Sequence, residues 1–341
     1  MRRRVRPRGL VGPYAPPRPA RELTVTSADG ARIHVEVHGP DTAPTVVLVH
    51  GWTCSTAFWA PVVRDLLPDH RVVVYDQRGH GRSPAAGRDG CSTDALADDL
   101  AAVLTATLEP GRRAVLGGHS MGGMTVMAAA ARPALREHAA AVLLCSTGSS
   151  GLAARSTVWP LRAGRLRTRL TRLLLHSRAP LGPVSPLAKV PLRYATMGRG
   201  SAPIMMEASA RIVHACPRGV RADWGRVLGG LDLDTGVAAL TAPTLVVQGT
   251  ADRLTPIGHA RSLAARLPHC VGLVELPGLG HMTPIEDPAA ISGGLRDLVR
   301  DHLTESAGAS GAHLPTGPTG RAGALGTDGT EATDEAKETS A

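Results

Sequence analysis

From residue 22 onward, short apolar runs take turns with segments of helical period. ELTVTS and RIHVEV alternate apolar and polar side chains on either side of ADGA, a pattern that predicts an antiparallel hairpin. TVVLVH is continuously apolar, as in a strand covered on both faces of a parallel sheet. A helical stretch near 56–67 leads to RVVVYD, a second such strand. STDALADDLAAVLTATL has helical spacing, with Ser92 or Thr93 as its N-cap. RAVLGG, MGGMTVMAAAAR and AAVLLC then predict strand, helix and strand.

The rhythm breaks over 148–235, where Leu- and Arg-rich helical segments are separated by Pro and Gly. It resumes with PTLVVQG, a helix over about 256–267, the strand VGLVEL and a closing helix over about 287–303. Alternation of this kind predicts an α/β fold, a mostly parallel sheet with helices on both faces. The expected organisation is a core of 22–147 and 236–303, with a helical cap inserted over 148–235. Residues 1–21 are expected to be a flexible basic arm. Residues 304–341 are expected to be a disordered tail of Gly, Ser, Thr, Ala and acid. No internal repeat is visible.

Composition narrows the class. No apolar run reaches the roughly 18 residues of a membrane span. The Arg-rich start lacks the apolar stretch of a signal peptide, so a cytoplasmic location is expected. Five cysteines, odd in number and without a C-x-x-C pair, predict free thiols and no zinc thiolate site. The net charge of +9 is uneven: residues 1–21 hold seven Arg and no acid, and 151–230 hold thirteen Arg and one Lys against Glu207 and Asp223. No nucleic-acid motif accompanies these arginines. Leu166, Leu170, Leu173 and Leu174 share one face of a helix, and Arg165, Arg169 and Arg172 another. The plainer reading packs the leucines over the core with the arginines solvated; the sharper one is a basic collar for an anionic partner.

Gly118-His119-Ser120-Met121-Gly122 fits G-x-S-x-G between a predicted strand and a predicted helix. A sharp strand-to-helix turn there would lift the Ser120 hydroxyl above the sheet. Serine needs a base, and His281 follows the last predicted strand in PGLGHMTP. Asp252 in QGTADRLTP follows the strand before it, giving the chain order Ser, Asp, His. Asp232 and Asp234 are weaker rivals, and Cys145-Ser146-Thr147 after AAVLLC offers no carboxylate. The backbone N–H groups of Trp52 and Met121 are the candidates for an oxyanion hole. His119 and His50 read as structural. Met205, Met206 and Trp224 are candidates for lining an acyl pocket, with core packing the plainer reading.

HGW (50–52), YDQRGHGRS (75–83), GHSMGG (118–123), GTADRLTP (249–256) and GHMTP (280–284), in this order, resemble the α/β-hydrolase superfamily. The similarity is to its cap-bearing serine esterase, lipase and cofactor-free haloperoxidase-like branches, and covers 22–303 apart from the insertion. It implies a hydrolase acting on a small-molecule carboxylic ester through an acyl-enzyme, with no metal and no organic cofactor. Ser120 and Met121 depart from the Asp nucleophile of related epoxide hydrolases and dehalogenases and from the Trp that dehalogenases place beside it. Perhydrolase, haloperoxidase-like or carbon–carbon hydrolase chemistry would use the same triad, and a non-catalytic ligand-binding role is the remaining alternative.

Overall fold

A computed structural model describes residues 9–85 and 90–303 of the chain. Eight strands form one sheet: β1 (Arg21–Thr26), β2 (Arg32–His38), β3 (Thr45–Val49), β4 (Arg71–Asp76), β5 (Ala114–His119), β6 (Ala139–Cys145), β7 (Thr244–Gly249) and β8 (Cys270–Leu276). Their order is β1-β2-β4-β3-β5-β6-β7-β8. The β1–β2 and β2–β4 pairs are antiparallel and the rest parallel. Every residue of β3, β4, β5 and β6 is buried, which is why their sequences carry no polar alternation.

Among the described residues, α1 (Ala60–Leu66), α2 (Thr93–Thr107), α3 (Met121–Ala129) and α4 (Pro133–His138) connect the strands up to β6. Between β6 and β7 come six helices: α5 (Leu152–Arg155), α6 (Arg165–Leu175), α7 (Pro186–Thr196), α8 (Pro203–Ala215), α9 (Arg218–Gly229) and α10 (Asp234–Ala239). The chain closes with α11 (Gly258–Arg266), α12 (Thr283–Glu286) and α13 (Pro288–His302). Leu100 and Val103 of α2, Met124 of α3 and Leu263 of α11 share one core cluster on one side of the sheet. Trp59, Val62 and Leu66 share a second with Leu295 and Leu298 of α13. Ser92, not Thr93, caps α2, its side chain accepting the Ala95 N–H at 3.1 Å. No helix among the described residues is long and apolar enough to cross a membrane. None of the five cysteines forms a disulfide among the described residues.

Two findings depart from the sequence reading. Residues 9–20, expected to belong to a free arm, lie against the core: Tyr14 is buried, its hydroxyl donates to the Ile285 carbonyl at 3.4 Å, and Arg64 donates to the Ala15 carbonyl. The Tyr14 ring, with Leu10 packed against the same core cluster, gains enough from burial to pin this Pro-rich segment. The rest of the expected arm, residues 1–8, and the tail 304–341 lie outside the described residues.

The second departure is in α6. Its buried residues are Arg167 and Thr171, whereas Leu166, Leu173 and Leu174 are exposed. The Arg167 guanidinium donates to the Ala154 carbonyl at 2.8 Å and to that of Leu161 at 3.4 Å. These acceptors let a charged side chain take the inward position while its alkyl stem packs. The leucine stripe is left facing outward.

Candidate active site

The strand order reverses direction at β3, which has β4 on one side and β5 on the other. Crevices of this kind, beyond the carboxyl ends of parallel strands, are where such sheets bind ligands. Ser120 stands at the end of β5 and Gly51-Trp52 just after β3, so both flank that crevice.

Ser120 has φ 51 and ψ −117, a conformation that side chains rarely adopt. The turn is held by the Ser120 N–H donating to Cys145 O at 3.0 Å, and by Met124 N–H and the Thr147 hydroxyl donating to Ser120 O at 3.1 and 2.7 Å. The flanking glycines are required by space. A Cβ at Gly122 would collide with the Val49 carbonyl, and one at Gly118 would come 2.7 Å from Gly123 Cα. The strain, of order 1–3 kcal/mol for such backbone, is retained because the packing around it over-determines the turn.

Ser120, His281 and Asp252 meet there. His281 Nε2 lies 3.0 Å from Ser120 Oγ, and His281 Nδ1 lies 2.7 Å from Asp252 Oδ2. All three are buried. Asp252 Oδ1 accepts the Leu254 and Thr255 N–H groups at 2.8 and 3.0 Å. Its Oδ2 also accepts from Gln248 Nε2 at 2.9 Å and from the Thr255 hydroxyl at 2.8 Å. Burial pushes the Asp252 carboxyl up, but the charge and hydrogen bond of His281 and the Thr255 bonds together hold it below the usual carboxylate value. The group is therefore an anion aimed at the imidazole. The rivals are engaged elsewhere: Asp234 pairs with Arg266 at 2.8 Å and accepts from Ser149, and Asp232 accepts the Asp234 N–H.

Gly51 brings the loop after β3 against Ser120. A Cβ there would stand 2.6 Å from His119 Nδ1 and 3.1 Å from Ser120 Cβ. The backbone N–H groups of Trp52 and Met121 have no hydrogen-bond partner among the described residues. The Trp52 indole, separately, donates to the Arg221 carbonyl of α9 at 3.0 Å. Of the residues named for an acyl pocket, Trp224 is fully buried with its indole donating to Arg78 O at 3.1 Å, and Met206 is buried in the opposite core cluster. Both pack; Met205 is only partly buried.

The remaining histidines act as braces. His119 Nε2 donates to the His281 carbonyl at 2.8 Å, and burial pushes its pKa down to about 3, so it stays neutral. His50 Nε2 accepts the Gln77 N–H at 3.0 Å, leaving Nδ1 to donate to Gly51 O at 2.8 Å. In the turn 76–83, Asp76 takes the N–H groups of Thr56 and Arg82, both at 2.8 Å. Arg78 forms two bonds to Asp99, of 2.7 and 2.6 Å, that lock the turn against α2.

Three contributors are not apparent from the sequence. Thr255 Oγ1 lies 3.2 Å from His281 Nδ1 as well as bonding Asp252, and Gln248 supports the same carboxylate. Glu286, at the end of α12, accepts the Gly280 N–H at 3.0 Å, the Gly198 N–H at 2.7 Å and the Ser201 hydroxyl at 2.7 Å. It thereby ties the loop of His281 to the insertion, and the Thr196 carbonyl accepts the His281 N–H at 2.8 Å beside it. The Asx-like spacing of Asp252 and Thr255 is a local signal, and Gln248 lies only four residues before Asp252, whereas Glu286 meets Gly198 and Ser201 across distant segments.

Glu22, His34 and Glu36 are the group of His and Glu side chains, among the described residues, whose atoms converge closely enough to hold a cation. Arg82 already pairs with Glu22 at 2.5 Å and faces Glu36 at 3.6 Å. This cluster is an ion-pair network on β1 and β2, separated from β5 by β4 and β3.

The chain belongs to the alpha/beta hydrolase fold family, whose model matches residues 44–288. It is 31% identical over 273 residues to the protein named "Putative carbamate hydrolase RutD" of Variovorax paradoxus, covering 78% of this chain and 96% of that one. It is 28% identical over 288 residues to the bifunctional esterase/perhydrolase DCH of Acinetobacter calcoaceticus, covering 81% of this chain and 99% of the relative. A solved thermophilic esterase from Thermogutta terrifontis superposes with a TM-score of 0.66 at 25% identity, over 83% of this chain and 100% of its own.

Proposed function

We propose that the protein is a serine hydrolase that cleaves a small-molecule carboxylic ester through an acyl-enzyme. The observation that carries this reading is the continuous relay of 3.0 Å from Ser120 Oγ to His281 and 2.7 Å from His281 to Asp252. His281 Nε2 takes the hydroxyl proton as Ser120 Oγ attacks the ester carbonyl, and Asp252 stabilises the resulting imidazolium. The N–H groups of Trp52 and Met121 bind the tetrahedral oxyanion. Collapse expels the alcohol, which takes its proton from His281. Water, deprotonated by the same imidazole, then attacks the acyl carbon and releases the acid and free Ser120. The helices over 148–235 act as a cap on this site, a role supported by the bonds from Thr196 to His281 and from Arg221 to Trp52.

A related reading is perhydrolysis, favoured by the similarity to the esterase/perhydrolase. The same acyl-enzyme would transfer its acyl group to hydrogen peroxide, giving a peracid and regenerating Ser120. The test is fluorophosphonate labelling alongside p-nitrophenyl ester hydrolysis, with and without peroxide. Wild-type protein should label and turn over, and Ser120→Ala should do neither. Equal inertness of both proteins would overturn the enzyme assignment. Peracid formation outpacing hydrolysis would select the second reading.

A further inference from the structure

Exposed large apolar side chains are concentrated in one part of the molecule. Nine of the twelve among the described residues fall within 161–204, on α6, α7, the connections beside them and the first turn of α8. On α7, Leu187, Val190 and Tyr194 follow helical spacing and are 84%, 65% and 41% exposed. On α6, Leu166 and Leu173 are 63% and 70% exposed, because Arg167 and Thr171 take the inward positions. Two helices successive in the chain thus turn apolar side chains to solvent, the Tyr194 ring being partly covered by Arg253, and singly scattered surface leucines do not explain them.

The charge beside these stripes is of one sign. Arg165, Arg169 and Arg172 line the exposed flank of α6 and form no ion pair among the described residues. The two acids of 151–230 are already matched, Asp223 by Arg178 and Arg226, and Glu207 by Lys189 and Arg211. Leu166 and Leu173 beside Arg165, Arg169 and Arg172 on the outward side of α6 suit the boundary of a bilayer, where apolar side chains enter the acyl region and guanidinium groups reach phosphate oxygens. An aqueous acidic partner would satisfy the arginines but leave the apolar stripes to be matched separately.

We propose that α6 and α7 form a docking face for an anionic lipid surface, on which the protein rests as a peripheral enzyme. This assignment does not depend on the chemistry proposed for Ser120. The test is co-sedimentation of the full chain with vesicles of phosphatidylglycerol and phosphatidylcholine in equal parts, and of phosphatidylcholine alone, at low and high salt. Binding is expected to the mixed vesicles only, weakening with salt. The triple variant Arg165→Glu, Arg169→Glu, Arg172→Glu and the double variant Leu173→Asp, Leu187→Asp should each lower partitioning at least tenfold while retaining the wild-type thermal melt. Lack of binding by the wild type would overturn the proposal. So would binding unchanged in both variants, which would place it in the Arg-rich start of the chain. Self-association that the leucine variant abolishes, without vesicle binding, would assign the face to a second copy and refute it equally.

Discussion

Replacing Asp252 by Asn tests the relay most sharply, because the structure dictates which way the amide must point. Asp252 Oδ1 accepts two backbone N–H groups, from Leu254 and Thr255, so the amide oxygen is held there. The NH2 must then take the place of Oδ2, facing His281 Nδ1 at 2.7 Å. A donor opposite Nδ1 forces that nitrogen to accept and moves the imidazole proton to Nε2, which faces Ser120 Oγ at 3.0 Å. The tautomer so formed cannot receive the serine proton. A change of this kind in a Ser-His-Asp triad costs about 10^4 in kcat, or about 5.4 kcal/mol of barrier. KM should change little, since Asp252 is buried behind the imidazole. Stability should fall by only about 1–3 kcal/mol, the cost of a disturbed buried hydrogen bond. Gln248, whose Nε2 faces the new amide and whose Oε1 is unpartnered, can rotate to relieve part of it. The assay is steady-state ester hydrolysis with a parallel thermal melt. A folded Asp252→Asn enzyme within tenfold of wild-type kcat would refute the assignment of Asp252 as the orienting acid.

Further outcomes follow from other parts of the site. Glu286→Ala removes the acceptor for three donors and should cost about 3 kcal/mol or more and lower kcat more than KM, whereas Glu286→Gln, which keeps one oxygen, should be milder; denaturant melts and ester kinetics compare the two. Gly51→Ala drives a methyl group against His119 and Ser120 and should slow fluorophosphonate labelling at least tenfold, and labelling at the native rate would contradict the close approach of the β3 loop. Stability should fall on acidification. His119, His80 and His259 are held by burial at about 3, 4 and 4, against an ordinary 6.5, so below 6.5 the unfolded chain takes up protons that the fold refuses. Asp76, raised to about 6 by burial, acts in the opposite sense between about 6 and 3.8. His50, held well below its ordinary value by burial, adds a fourth, so four protons against one leave a net slope of about three protons favouring unfolding between pH 6 and 5. Urea titrations at pH 7, 6 and 5 measure it, and a stability that is flat or rises toward pH 5 would contradict it.

The sheet was legible because burial on both faces leaves an unmistakable mark. TVVLVH, RVVVYD and AAVLLC have no polar alternation, and each became a fully buried strand. The positions of Ser120, Asp252 and His281 were legible for a related reason, since each directly follows a strand where the chain must turn at the same sheet edge. The supporting residues were not. Glu286 meets Gly198 and Ser201 across 88 and 85 residues, and no local pattern distinguishes it from a solvated acid on a short helix. The orientation of α6 was misjudged because periodicity separates the faces of a helix without saying which one packs; Arg167 settled it through carbonyl acceptors in the preceding segment. The short helices α4 and α12 begin at or beside prolines, which read as breaks rather than as first turns.

The bond from His281 N–H to the Thr196 carbonyl, with Glu286 clasping Gly198 and Gly280 on either side, joins the end of α7 and the loop of His281 into mechanically one piece. On the proposed function, an insertion that swung away from the sheet at the end of α7 would drag the proposed general base with it or break the His281 and Met282 N–H bonds to Thr196 and the Gly198 N–H bond to Glu286. If the insertion caps the site as proposed, any opening that keeps His281 in place has to leave the Thr196–Gly198 side attached to the core.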